Sequence, residues 1–208
     1  EADNLAPRSA VRDLKCERII TSAAEHSAVI KTAESLVRSD GIVLDLVDHF
    51  PDGTVDLEHL TTLLSAGPKT LVSLMHANNE VGVVQDLDRI GTLCKEHGAL
   101  FHSDTVQTMC HYPLDLSKLP IDFITCSAHK FHGPKGIVFL YIAEGLKVGG
   151  QIEGGGQERA VRGGTENIHS IVGLAKAMEL AFHDLNEHEL HIRSLKAQLV
   201  SGLKSLYS

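Results

Sequence analysis

The 208-residue sequence predicts an α/β fold built on a mostly parallel sheet, and three observations carry that expectation. Apolar runs of strand length alternate with segments of helical period, the signature of successive βαβ units. No repeat, low-complexity stretch or Pro-rich linker interrupts the alternation before about Leu180. A chain with 43% hydrophobic and 22% charged residues is also able to bury a sizeable core.

The elements follow in order. A helical period over residues 4–15 leads into an apolar run at 18–22, and a second helix at 27–39 into a strand at 42–47. Asp56 stands at the start of a helix over 56–65, which precedes a strand at 70–75. Asp86 lies near the start of the next helix, 85–96. Strands at 100–103, 123–126 and 137–142 complete the sheet. Asn167 then opens a helical stretch over 168–207, one long helix or a pair. Asp and Asn at such positions accept the unpaired N–H groups of a first helical turn.

Beyond about residue 179 the pattern becomes charged and strongly helical. The expected division is a sheet domain over 1–178 and a helical segment over 179–208 that leads towards a further, C-terminal small domain; a solvated terminal helix is the plain alternative. The first residue is Glu1, and 202–208 read as the middle of a helix, so both ends are expected to be cut from a longer polypeptide.

The net charge is −8, from 19 basic and 27 acidic residues, and the basic ones are scattered. Without a basic patch no nucleic-acid partner is expected. No apolar run approaches the roughly 20 residues that span a bilayer, and the N-terminus has no leader pattern. A soluble, cytoplasmic protein without a membrane partner is therefore expected. Cys16, Cys94, Cys110 and Cys126 are widely spaced without a CxxC pair, which points to reduced thiols.

In open α/β sheets ligands bind beyond the carboxyl ends of the strands. Polar residues gather at four such places: Glu25 and His26; His76, Asn78 and Asn79; His102, Ser103, Asp104 and Gln107; and Ser127, His129 and Lys130. Each alone has an ordinary reading, a packing histidine or a turn-capping acid. Together they bring carboxylate, imidazole, amide, hydroxyl and amine to one edge. That set suits neither zinc, which wants three or four Cys, His or carboxylate ligands, nor a serine nucleophile, for which no GxSxG elbow exists. A P-loop is absent as well. Pyridoxal phosphate does need this set: a lysine for the Schiff base and an acid that keeps the pyridine nitrogen protonated. Lys130 and Asp104 suit those roles, at the ends of two successive strands.

Segment 127–136, SAHKFHGPKG, resembles the lysine motif of the class V aminotransferase family and of its cysteine desulfurase group. Segments 76–82 (HANNEVG), 102–107 (HSDTVQ) and 154–167 (GGGQERAVRGGTEN) are similar to three further motifs in the same order, and 1–6 (EADNLA) to the end of its phosphate-binding turn. The resemblance covers nearly the whole chain.

It implies the three-layer large domain of pyridoxal-phosphate fold type I. By resemblance, Lys130 would form the Schiff base with pyridoxal 5'-phosphate and Asp104 would pair with the ring nitrogen. His26 would stack on the ring, Gln107 would bond its phenolic oxygen, and Asn79 would reach the cofactor hydroxyl and the substrate carboxylate. Ser127 and His129 would hold the phosphate, and Thr165 that of a partner subunit in a homodimer. His169, His183, His188 and His191 match no motif. The implied reaction converts L-cysteine to alanine, with Lys130, His26 and His129 as catalytic residues. Sulfur passes to an enzyme cysteine as persulfide, and onward to an iron–sulfur scaffold or another sulfur-acceptor protein. None of the four cysteines matches that nucleophile, which is expected downstream of Ser208; the phosphate-binding threonine is expected before Glu1. A selenocysteine lyase, another class V aminotransferase and a non-catalytic dimerising remnant are the alternatives.

Overall fold

In the computed structural model, which describes residues 1–206, six strands alternate with helices as the periodicity predicts. The strands are β1 (Arg18–Ser22), β2 (Val43–Val47), β3 (Thr70–Ser73), β4 (Leu100–Asp104), β5 (Phe123–Ser127) and β6 (Val138–Ile142). The helices are α1 (Ala2–Arg12), α2 (Ser27–Asp40), α3 (Leu57–Leu64), α4 (Leu87–Glu96), α5 (Ile168–His183) and α6 (Leu185–Leu206). The sheet order is β2-β1-β3-β4-β5-β6, all parallel but for β6, which runs antiparallel to β5.

Alternation along each strand divides the interior into two cores. Ile19, Leu71 and Phe123 face one side with Ala6 and Ala10 of α1 and Ala33 and Leu36 of α2. Ile20, Val72, Phe101 and Ile124 face the other, with Leu60 and Leu64 of α3 and Ile90 and Cys94 of α4. Strands buried on both faces, with helices on each, make three layers. The apolar side of α5, Leu174, Ala177 and Met178, joins the second core.

The three expected caps are formed. Asp56 accepts from the N–H groups of Glu58 and His59, Asp86 from Arg89 and Asn167 from Ser170. Asp184 divides the terminal helical stretch into the pair α5 and α6, and residue 207 of that expected stretch lies outside the described residues. Several boundaries differ from expectation, these among them: α1 stops at Arg12, so Cys16 lies between elements; β3 stops at Ser73; and β4 and β5 run on to Asp104 and Ser127. Among the described residues, no helix is long and apolar enough to cross a membrane.

Candidate active site

The parallel strands β1, β3, β4 and β5 all finish at one edge, and the segments that follow them carry the polar residues singled out above. Asp104 is the last residue of β4 and pairs in register with Thr125. Two residues later β5 ends at Ser127, and a single 3-10 turn, Ala128–Phe131, presents Lys130 beside it. His132 closes that turn with φ 67°, and Gly133 then passes so close that a Cβ would lie 2.8 Å from Ala128 Cβ and 2.9 Å from its carbonyl oxygen. His111 Nε2–H donates to the Lys130 carbonyl at 3.0 Å. α5 supports the turn from outside, where a Cβ on Gly173 would meet Pro134 Cγ at 2.7 Å.

Burial pushes the Asp104 carboxyl up to about 7; the nearby Asp3 charge adds to the rise, while the Val106 N–H and the Lys130 ammonium oppose it. Glu25, 9% exposed, is raised well above the ordinary range, first by burial, although Met75 N–H donates to its Oε1. His76 is pushed down to about 4 by burial and bonds Thr108 Oγ1 through Nδ1 at 2.8 Å, the arrangement of a packing histidine. His102 is fully buried and also lowered to about 4, its ring tied to Ser73 Oγ at 2.8 Å and Thr125 Oγ1 at 3.0 Å.

The other expected residues divide into two groups. His26 caps α2, its Nδ1 accepting from Ala28 N–H at 3.2 Å, which leaves the ring proton of the neutral imidazole on Nε2. Ser127 Oγ and His129 Nδ1 are bonded at 2.8 Å beside Lys130, and Gln107 is half-buried three residues after Asp104. Asn79, by contrast, is exposed and donates to Glu80 Oε1 at 3.0 Å, while Asn78 does the structural work of holding the loop to Ala24 O at 2.8 Å. Thr165 is exposed on the loop before α5 and makes no contact with the sheet edge among the described hydrogen bonds. His169, His183, His188 and His191 are exposed on α5 and α6. All four cysteines are free and buried.

The sequence singles out His102 at the strand end but not its inward bonds, and it places Asp3 only within segment 1–6, with no role of its own. The helical period there begins at residue 4, and nothing local says that α1 will lie over β4. Glu25 was visible beside His26, but a lone acid before a helix gives no sign of burial.

The fold and this edge define a three-layer α/β protein with an exposed lysine on a strand-end turn and a buried acid at the end of the neighbouring strand. Residues 1–208 match the Aminotransferase class-V family, and the chain belongs to it. It is 40% identical over 210 residues to cysteine desulfurase IscS of Histophilus somni, covering 99% of this chain and 52% of that protein. A solved NifS-like protein is 40% identical with a TM-score of 0.93, over 99% of this chain and 57% of that one. SspA, solved in complex with cysteine, is 35% identical with a TM-score of 0.78, over 86% and 52%. The chain thus spans about half the length of the curated relatives it matches.

Class V aminotransferases generally use pyridoxal 5'-phosphate, and the donor set fits that group. Asp104 is a buried acid suited to a cationic ring nitrogen. Lys130 is exposed on the turn after β5, which puts its amine at the same edge.

Proposed function

We propose that this chain is the cofactor-binding part of a pyridoxal-phosphate-dependent cysteine desulfurase. The observation that carries the reading is the placement of Lys130 on the turn after β5, next to Asp104 at the end of β4. Support comes from relatives named cysteine desulfurase that align with 99% of the chain. On this reading residues 1–178 are the large domain and 179–208 lead to a small one; the exposed Leu190, Leu195, Leu199 and Leu206 of α6 are consistent with that division.

When bound, pyridoxal phosphate supplies a carbonyl that takes the substrate amine and a ring that accepts electron density from the substrate α-carbon. The chain's residues do the rest. Lys130 Nζ anchors the cofactor and, once freed, takes the α-proton of L-cysteine. Asp104 holds the ring nitrogen in its protonated form, which a buried carboxylate does through a charge-assisted hydrogen bond. His26, fixed by its capping bond, offers its ring face and Nε2–H; Ser127 and His129 bind phosphate oxygens; Gln107 and Asn79 serve the ring hydroxyl, with Asn79 first leaving Glu80. Thr165 would serve the site of a second subunit in a homodimer, and the sulfur acceptor would be an iron–sulfur scaffold or a similar protein of the cytoplasm.

The test is to purify the full-length protein with pyridoxal phosphate, record its absorbance, and add L-cysteine. A near-ultraviolet to visible band that changes on addition, with alanine formed in step with protein-bound sulfur, is the expected result. Absence of the band, or turnover of other amino acids but not cysteine, would overturn the reading.

A further inference from the structure

The face of the sheet covered by α1 carries more acid than the reaction read above requires. On that face His102 stands opposite Ser73 in β3 and two residues before Asp104, so both β4 side chains point towards α1. Asp3, on the first turn of α1, places Oδ1 3.8 Å from His102 Nε2, with only 13% of its side chain exposed. That oxygen is buried and has no hydrogen-bond partner among the described residues. A buried, unpaired carboxylate oxygen is costly unless charge or protons are shared around it.

His102 does not supply the missing charge. Its two nitrogens are held by Ser73 and Thr125, and burial keeps the ring neutral, down to about 4. The groups facing Asp104 are Asp3 from α1, His102 on its own strand, Glu25 from the segment after β1, Cys126 from β5 and Lys130 from the turn after β5. From the segment after β3, His76 offers Asp104 only its N–H, to the main-chain oxygen, at 2.9 Å. Glu25 accepts from Met75 N–H at Oε1, and its Oε2, like Asp3 Oδ1, has no hydrogen-bond partner among the described residues.

Resting on the cofactor reading, we propose that Asp3 is a positioning residue that acts through Asp104. In the cofactor-free protein the Asp3 charge on the same face helps Asp104 keep a proton, which Asp104 releases to water when it takes the ring cation. One O–H bond breaks, the proton leaves to solvent, and no electrons change hands. The raised proton affinity of Asp104, to which Asp3 contributes, agrees with this arrangement. Cofactor capture is therefore linked to pH through a residue that need not touch the cofactor.

The experiment uses the full-length protein and 4'-deoxypyridoxine 5'-phosphate, which lacks the aldehyde and cannot bond to Lys130. Affinity is measured by calorimetry between pH 5.5 and 8.5 for the wild type, Asp3→Asn, Asp3→Ser and Asp3→Glu. The analogue's own ionisations are common to all four. Wild-type affinity should weaken as the pH falls below about 7, where Asp104 keeps its proton. Removing the neighbouring charge should move that midpoint down by about one unit, so that Asp3→Asn and Asp3→Ser bind about fivefold more tightly than wild type at pH 6. Asp3→Glu should keep the wild-type profile. Profiles that superimpose for all four proteins, or an equal shift in Asp3→Glu, would overturn the role of Asp3 alone. An analogue that fails to bind the wild type at any pH would overturn the cofactor reading and this inference with it.

Discussion

Asp104 is buried because β4 ends beneath α1, and a carboxyl in that position is held up to about 7 until a cation meets it. The Asp104→Asn substitution in the full-length protein keeps the shape but, on the proposed reading, cannot hold the ring nitrogen protonated. We expect kcat to fall by about a hundredfold or more and cofactor affinity by less than about tenfold, since phosphate contacts survive. Comparable losses in both would make Asp104 a structural residue. The four cysteines carry a second prediction. Burial pushes Cys16 and Cys110 up to about 11, Cys94 to about 12 and Cys126 higher still, so none offers a thiolate near neutrality. Persulfide trapping after turnover should leave all four unlabelled; a label retained on Cys110 and lost in Cys110→Ser would contradict this. The strand-end placement of Lys130 and Asp104 was legible in the sequence, because strand-length segments end just before each of them. Asp3 was not, because its importance comes from a helix–sheet contact and not from its neighbours in the chain.

At the scale of elements, the turn that carries Lys130 depends on one close approach. Gly133→Ala would drive a methyl group into Ala128, and overpacking of this kind costs about 1–3 kcal/mol. Its N–H donates to Ala128 O at 2.9 Å, so relief of the clash must also move the turn. Thermal unfolding should show a lower Tm, and pyridoxal phosphate affinity should fall with it; an unchanged Tm and affinity would show that the approach is dispensable. The helix starts at Asp56, Asp86 and Asn167 were legible because a cap is a local bond. The antiparallel course of β6 was not, since an apolar strand pattern reads the same in either direction. Nor was the left-handed run at Glu158, Arg159 and Ala160, with φ of 47°, 56° and 63°, which non-glycine residues rarely adopt. That loop is closed by Gly163, where a Cβ would stand 2.8 Å from Gly154 N.

For the whole molecule, buried titratable groups make stability depend on pH in opposing directions. His76 and His102 are neutral when folded, so their contribution is lost as pH falls from about 6.5 towards 4. Glu25 has the opposite sign. Its folded form prefers the proton, so its contribution is present at low pH and is lost as pH rises from 4.5 through its raised folded value. Glu25→Gln keeps an acceptor for Met75 N–H but cannot ionise. In urea unfolding its stability relative to wild type should therefore improve between pH 4.5 and pH 8, and a difference that does not vary with pH would contradict the buried acid. The three-layer architecture was legible because alternation of period survives along most of the chain, whereas α6 packs so little that periodicity alone could not place it. Borohydride reduction of the full-length protein loaded with pyridoxal phosphate, followed by peptide mass mapping, tests the role proposed for Lys130 at this sheet edge. The adduct is predicted on Lys130; an adduct on Lys135 or Lys147, with Lys130 unmodified, would contradict that role.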